Sequence, residues 1–258
     1  ARHTAVPTGG VLATLALAGC GRGPDAGGEA RSAAAAQQKE LRAASETAAE
    51  LNEIVEAYYD EYLALNPWTA TAQGDHRLDA KFGDYVSLAW MADSLAIEQE
   101  ALEKLQALKP KKLRGEDLVT YEAFKLGREI NVAGYRFPSE LLPIQQNSNL
   151  ASFFAVAGSG KGVHPFRTVQ DYDNFLSRMD GFAAWADQSI ANMREGVAKG
   201  YSVPRVLAER TLPQLESQVV AKPEDSSFWG PIRNMPASFS AADRERLTAA
   251  YRTMIETK

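Results

Sequence analysis

From about residue 46 onward, apolar side chains recur every three or four positions, a period that places them on one face of an α-helix. Alternation of apolar and polar residues, which would predict half-buried strands, is nearly absent. The chain is therefore predicted to be all-α, an irregular array of several helices. Four apolar stripes support this prediction, and they cover residues 51–65, 88–108, 119–133 and 172–197.

Prolines indicate where several of these helices stop. The first stripe meets Asn66-Pro67, and the residue before a proline avoids helical geometry. The second stripe is followed by Pro110. A further helix is predicted over residues 206–220, kinked or interrupted at Pro213 because proline removes a backbone donor.

Capping residues mark the two remaining helix starts. Thr168 and Asp171 have capping-box spacing before the longest stripe, and Gly200 can end that helix in the left-handed conformation. Ser240 and Asp243 repeat the same spacing before the last helix. These local signals predict the helix bounds independently of the apolar period.

The amino-terminal end has the features of a secretory signal. Residues 11–18 form an apolar run after Arg2, far shorter than the roughly 20 apolar residues of a membrane-spanning helix. The residues Leu17-Ala18-Gly19-Cys20 resemble the lipobox of bacterial lipoproteins, and Cys20 is the single cysteine of the sequence. Residues 1–19 are therefore predicted to be a lipoprotein signal peptide and Cys20 the lipidated residue. The alternative is an ordinary secretory signal with a coincidental cysteine.

Lipidation would place the protein in the cell envelope, on the periplasmic face. The anchor would be firm, because several acyl chains hold a protein on a bilayer far better than one. By resemblance to enteric lipoproteins, Gly21 carries no Asp-type retention signal, which favours the outer membrane. Residues 20–45 are rich in Gly and Ala and are predicted to be a flexible tether. Residues 46–258 are then the helical region.

The net charge of the chain indicates which classes of binding partner to expect. The chain has 28 Lys and Arg against 33 Asp and Glu, a net charge of −5, and it has no basic block. Nucleic acid is therefore not an expected partner, and contact with the membrane is expected through the lipid anchor alone.

The sequence contains no complete metal site. Its three histidines include no His-x-x-x-His pair, so no zinc site and no other cofactor are expected in this chain. His76 has Asp75 and Asp79 as neighbours and could ligate an ion, but a polar turn whose aspartate caps the next element is the favoured interpretation.

The segment GSGKG, residues 158–162, has a superficial likeness to a phosphate-binding loop. Ala155 stands where that motif needs its first glycine, and Gly162 stands where it needs Ser or Thr. Ser159 is not a nucleophile elbow either, because Ala157 replaces a required glycine. A flexible surface loop is the predicted structure.

The segment MREGVAKGYSVPR, residues 193–205, brings Arg194 and Arg205 into one short region at a helix exit. Guanidinium groups recognise carboxylates through two parallel hydrogen bonds, so both arginines are candidates for contacting a ligand. The alternative is that they pair with local acids.

The order of several segments resembles the amino-terminal part of the bacterial "domain of unknown function 885" family, from about residue 50 to residue 258. These segments are NPWTATAQGDHRLD, LLPIQQNS, FRTVQDYDNFLSRMDGF, MREGVAKGYSVPRVLAERTLPQLES and DSSFWGPIRNMPASFSAADRERL.

The resemblance implies a larger, mainly helical, zincin-like lipoprotein that acts as a zinc peptidase. In such proteins a His-Glu-x-x-His helix follows the region seen here; its histidines hold zinc and its glutamate acts on a metal-bound water. None of those residues can be carried over to this sequence. The last helix also reaches Lys258 without a terminating signal, which predicts a protein truncated at its carboxyl end. A naturally frayed helix is the alternative.

Two functions follow. In the first, this chain is the amino-terminal helical part of an envelope lipoprotein that hydrolyses peptides with zinc when complete. It forms one wall of the substrate cleft, with Arg194, Arg205 and Gln145 as candidate substrate-binding residues, and it is inactive alone. Its packing partner would be the missing carboxyl-terminal half, whose loss leaves an apolar patch exposed. The alternative is a non-catalytic, membrane-tethered helical binding or scaffold module.

Overall fold

The computed structural model describes residues 26–147 and 149–258, and this part of the chain is built from helices. It contains no strand; one isolated bridge joins Ile144 and Asn149. The predicted all-α class is confirmed. The helices are α1 (Ala26–Leu65), α2 (Pro67–Ala72), α3 (Leu88–Ala107), α4 (Gly115–Gly134), α5 (Leu150–Val156), α6 (Val169–Ala198), α7 (Arg205–Glu216), α8 (Gly230–Arg233) and α9 (Ala241–Thr257).

The predicted helix ends agree with the structure where a local signal fixes them. Helix α1 ends at Leu65 and α2 begins at Pro67. The hydroxyl of Thr168 accepts a hydrogen bond from the backbone N–H of Asp171, whose carboxylate accepts from the backbone N–H of Thr168, so the capping box of α6 is complete. Gly200 follows α6 with φ +83°.

Two predicted bounds differ from the structure. Helix α7 continues through Pro213 and ends at Glu216, four residues short of the predicted end. Residues 26–45, predicted to be part of the flexible tether, form the first half of α1. This stretch is rich in alanine, the strongest helix former, so it stays helical although residues 31–42 are exposed. The predicted signal peptide and Cys20 lie outside the described residues.

The segment GSGKG is also not the flexible surface loop that was predicted. Ala157–Lys161 forms a π-helical turn at the end of α5, and Gly158 is buried in it. A Cβ atom on Gly158 would come within 2.4 Å of the rings of Phe175 and Phe228. Only glycine, which has no Cβ, therefore allows the backbone to lie this close to the two rings.

Buried apolar side chains form two separate clusters. The first, here called the aromatic core, lies among α2, α5, α6 and α9 and includes Trp68, Phe154, Phe175, Trp185 and Tyr251. The second, here called the leucine core, lies among α1, α3 and α4 and consists of Leu51, Leu105, Leu108, Leu113 and Tyr121. A cleft can form where two cores meet side by side.

The apolar stripe predicted for α4 does not face either core. Val119, Leu126 and Ile130 are 67%, 57% and 61% exposed, and the helix packs instead through Tyr121 and Phe124. The prediction that this stripe is a core face is therefore wrong, although the helix itself is confirmed. Among the helices described, none combines the length and apolarity needed to cross a bilayer.

Candidate functional site

A cleft of about 850 Å³ separates the two cores. Helices α3 and α4 line it from the side of the leucine core, and Val86 and Trp185 line it from the side of the aromatic core. Pockets of this size and aromatic content are the usual sites for small ligands and peptide side chains. Its aromatic side chains are Tyr62, Tyr85, Trp90, Tyr135, Phe153 and Trp185.

Glu98 of α3 is the central charged group of the cleft and is only 4% exposed. Its Oε1 accepts hydrogen bonds of 2.9 Å from the hydroxyl of Tyr58 and from Nδ2 of Asn131. Arg128 Nε lies 2.8 Å from Glu98 Oε2, close enough for an ion pair, although its N–H is not aimed along a hydrogen-bond direction. The guanidinium of Arg128 also lies 4.0 Å over the ring of Tyr58.

Helical spacing explains how these groups meet. Arg128, Asn131 and Tyr135 stand at positions i, i+3 and i+7 of α4, so they share the face that meets α3. Burial and the hydrogen bond to Glu98 raise the pKa of Tyr58 well above its usual range. Its hydroxyl therefore stays protonated and donates to the carboxylate.

Three further polar atoms in the cleft lining are buried without a hydrogen-bond partner among the described residues. They are Oε2 of Glu140, Nε1 of Trp185 and Oγ of Ser94, the last of which lies near the hydroxyl of Tyr135 without reaching hydrogen-bond geometry. Such atoms cost about 1–3 kcal/mol each when nothing replaces their lost water. A ligand that brings both donors and acceptors into the cleft would satisfy them.

The opposite wall is fixed by turns. The side-chain oxygen of Asn149 caps α5 by accepting from the N–H of Ser152 at 2.7 Å, and its Nδ2 donates to the carbonyl of Gln145 at 3.0 Å. Tyr85 has φ +66°, the one positive value at a non-glycine position in the described chain. Backbone strain of this kind at a non-glycine residue occurs more often at functional sites than elsewhere.

The structure distributes the predicted substrate-binding residues over different places. Gln145 lies in the lining of the cleft. Arg205 is 91% exposed on α7, with Nε 2.7 Å from the carboxylate of Glu209, and Arg194 is exposed on α6. Neither arginine is a lining residue of the cleft, and the substrate-binding role of all three residues stays a prediction.

Sequence reasoning missed Ser94 and Glu98, although a signal was present. They stand four residues apart, in helical register with the buried Ala101 and Leu105, so two polar residues occupy positions of a core face. A buried polar residue needs partners or a ligand, which makes that register informative.

A second polar cluster surrounds the fully buried Arg178 of α6. Arg178 donates from Nε to the carbonyl of Lys81 at 3.0 Å, from Nη1 to Nδ1 of His164 at 2.8 Å and from Nη2 to the hydroxyl of Thr71 at 2.5 Å. Its guanidinium lies 3.9 Å from the centre of the Trp68 ring. These bonds tie α6 to α2 and leave no open side for a ligand.

The two histidines of the described chain are both engaged in this region. His164 accepts from Arg178 through Nδ1, so its Nε2 carries the proton and donates to the carbonyl of Asp171 at 2.9 Å. Burial, together with the charge of Arg178, lowers the pKa of His164 to about 4. His76 Nδ1 lies 2.9 Å from the buried carboxylate of Asp79.

The contacts around His76 bear on the polar turn predicted for this segment. Asp75 caps the short 3₁₀-helix His76–Leu78 by accepting from the N–H of Arg77, so the predicted polar turn is confirmed. Within residues 26–147 and 149–258, no three His, Cys, Asp or Glu side chains come together as metal ligands. The described residues therefore do not fit the zinc site that the family resemblance implies.

A comparison with protein-family models identifies the family of this chain. The family model described as "Bacterial protein of unknown function (DUF885)" matches residues 67–258. This range includes α2 to α9 and almost all of the cleft lining. No curated protein and no solved structure gives a match.

Proposed function

Because the chain belongs to the DUF885 family of bacterial proteins, we propose that its cleft binds peptides and forms one wall of the substrate site of an envelope lipoprotein. In its complete form this lipoprotein would hydrolyse peptides with zinc. The observation that carries the proposal is the set of unpartnered donors and acceptors in one aromatic cleft.

A peptide suits these groups because its backbone alternates N–H donors and C=O acceptors. The indole N–H of Trp185 can donate only, the carboxylate oxygen of Glu140 can accept, and the hydroxyl of Ser94 can do either. Neighbouring rings such as Tyr85 and Trp90 offer apolar surface for the side chains between these polar contacts.

The described residues bind and orient the peptide in this proposal, and they supply no part of the hydrolytic step. A zinc-ligating helix would have to come from residues beyond those described, as the resemblance implies. Gln145 is the predicted substrate-binding residue best placed to act, since it lies in the cleft lining. Arg194 and Arg205 would act only on parts of a substrate that extend outside the cleft.

Peptide binding can be measured by the intrinsic fluorescence of the chain, because Trp90 and Trp185 line the cleft, whereas Trp68 and Trp229 do not. Titration with blocked pentapeptides that carry basic, apolar or acidic central residues should give a saturable change with at least one of them. Trp185→Phe should weaken binding, because the replacement has no N–H to donate.

The matched control is Trp229→Phe, which alters a tryptophan away from the cleft and should bind as the wild type does. A titration in which no peptide gives a saturable change refutes peptide binding. Binding by the complete gene product without peptide hydrolysis would favour the alternative, a non-catalytic binding module.

The exposed stripe of α4 supports the part of the proposal that concerns a packing partner. Val119 and Leu126 form an apolar surface, flanked by Glu122 and Lys125, that single domains rarely leave uncovered. The proposed cover is the carboxyl-terminal half of the complete protein. The isolated chain should then self-associate, and Leu126→Glu should raise its monomeric fraction in sedimentation velocity, whereas Leu41→Glu on exposed α1 should not.

The lipid anchor is proposed from the sequence alone, with Cys20 as the acylated residue and the periplasmic face of the outer membrane as the location. Palmitate labelling of cells that express the gene should mark the protein, and Cys20→Ala should abolish the label and release the protein from membranes. Label that persists in Cys20→Ala contradicts the assignment.

A further inference from the structure

The charges of the cleft lining have one sign. Glu98 and Glu140 are its two charged residues in the described chain, with no Lys, Arg, His or Asp among the lining side chains. A ligand that enters this cleft meets carboxylates and aromatic rings. An anionic ligand would meet repulsion there, and a cationic one would meet attraction.

The two carboxylates are not equivalent. Glu98 is neutralised by Arg128 at 2.8 Å and accepts two further hydrogen bonds. Glu140 has a buried Oε2 without a hydrogen-bond partner in the described structure. The pKa of Lys199 is raised mainly by Glu195, whose carboxylate lies 2.5 Å from the ammonium group, and only slightly by Glu140. Lys199 is therefore paired with Glu195. The charge of Glu140 is therefore the one available to a ligand.

Aromatic rings stand beside these carboxylates. Tyr85 and Trp90 have their ring centres 5.6 Å apart at an angle of 51°, so they form a corner with two ring faces. Tyr62 lies over Tyr58, the residue that donates to Glu98. Organic cations bind over such ring faces, and the attraction grows when water is excluded.

Two deeply buried polar groups show that the cleft is built for a ligand and is more than an acidic surface. Trp185 is 5% exposed and Ser94 is 6% exposed, and the polar atom of each lacks a hydrogen-bond partner among the described residues. Both line the same cleft as Glu140. The donors and acceptors fit a peptide backbone, and the charge fits a cationic group on that peptide.

We propose that the cleft selects peptides that carry an organic cation, either a basic side chain or a free amino terminus, with Glu140 as its carboxylate partner. This inference rests on the peptide-binding function proposed above. It adds the substrate class, since a cleft that bound peptides by backbone contacts alone would not distinguish a lysine from an apolar residue of equal length.

The experiment compares blocked pentapeptides that differ only at the central residue, which is lysine, norleucine or glutamate. Lysine and norleucine have side chains of similar length, so their affinity ratio isolates the charge. The lysine peptide should bind about tenfold more tightly than the norleucine peptide, as expected for a desolvated cation–carboxylate and cation–π contact. A norleucine peptide with a free amino terminus tests the second source of the cation.

Glu140→Gln should reduce the lysine-to-norleucine affinity ratio to less than about threefold, since the substitution removes the charge and keeps the shape of the side chain. Glu209→Gln, which removes an exposed carboxylate on α7, is the control and should keep the ratio. In the wild type, the ratio should fall as salt rises, which gives a second measurement if Glu140→Gln does not fold.

The outcomes are distinguishable. The inference is overturned, and peptide binding stands, if neither the lysine peptide nor the norleucine peptide with a free amino terminus binds the wild type more tightly than the blocked norleucine peptide. It is also overturned if the preference for the cation survives in folded Glu140→Gln. If no peptide of the set binds, both the inference and the proposed function fail.

Discussion

Replacing Arg178 with methionine should destabilise the protein by about 3–5 kcal/mol, the usual cost of removing one partner from a buried ion pair. Arg178 has no exposed surface, and the carboxylate of Asp79 lies 3.5 Å from its Nη2. Methionine fills much of the same volume with apolar atoms. The carboxylate of Asp79 would then remain buried without the guanidinium, with Thr71 and His76 as its remaining partners.

The expected destabilisation by Arg178→Met can be estimated from the individual contacts of the guanidinium. The guanidinium donates to the carbonyl of Lys81, to Nδ1 of His164 and to the hydroxyl of Thr71, and the first two acceptors would lose their protein donor. Each unsatisfied buried acceptor costs about 1–3 kcal/mol. The lost stacking on Trp68 adds about 1 kcal/mol. These contributions overlap in one network, so the total is expected near 3–5 kcal/mol.

Urea unfolding followed by tryptophan fluorescence measures this loss, because Trp68 is in direct contact with Arg178. Arg205→Met is the control; it removes an exposed pair on α7 and should change the free energy of unfolding by less than about 1 kcal/mol. Combining Arg178→Met with Asp79→Asn should cost less than the sum of the two single changes. A loss below about 1 kcal/mol for Arg178→Met, or additive losses, would refute the assignment of a coupled buried pair.

Three further predictions concern packing, pH and capping. Gly158→Ala should destabilise the protein by about 1–3 kcal/mol through overpacking of the aromatic core. Gly127→Ala, whose Cβ would meet nothing within 4 Å, should stabilise the protein by about 0.5–1 kcal/mol. Urea unfolding of both variants measures these changes. Burial lowers the pKa of His164 from 6.5 to about 4. Between pH 6.5 and pH 4 the unfolded chain therefore binds a proton on His164 that the folded chain does not bind. The stability present above about pH 6.5 is lost as the pH falls towards about 4. The drop in the free energy of unfolding from pH 7 to 4.5, on the order of 2–3 kcal/mol, should shrink in His164→Gln, and an unchanged drop would contradict the assignment. Thr168→Ala should cost about 1 kcal/mol because it leaves the N–H of Asp171 without its cap, and an unchanged urea midpoint would contradict the capping box.

The sequence predicted well what neighbouring residues decide. The boundary at Pro67 and the cap at Thr168 depend on a few adjacent positions, and the structure has both where they were expected. The helical period likewise predicted the all-α class. The low apolar content of residues 26–45 indicates that they cannot form a core, but it does not exclude a helix, because an alanine-rich stretch stays helical without one.

What the sequence could not predict is which helices meet. The stripe of α4 through Leu126 has the period of a core face, yet the helix packs against the leucine core through Tyr121 and Phe124. The choice between two apolar faces of one helix depends on the partner, and the partner is remote in sequence. The cleft depends on the same choice, since turning α4 would separate Arg128 from Glu98.

Polar residues in the register of a core face are the strongest sequence signal for the cleft, but they are ambiguous. Glu98 and Arg178 both interrupt buried faces, so the sequence alone would have selected them equally. The structure separates them by their surroundings. The guanidinium of Arg178 is enclosed by protein acceptors and holds α2 against α6, whereas Glu98 lies in an open cleft beside polar atoms that lack partners. Nε1 of Trp68, beside Arg178, also lacks a partner in the described structure, so an unpaired buried polar atom alone does not mark a ligand site. It indicates one where the atom also belongs to the lining of an open cleft, as at Glu140 and Trp185.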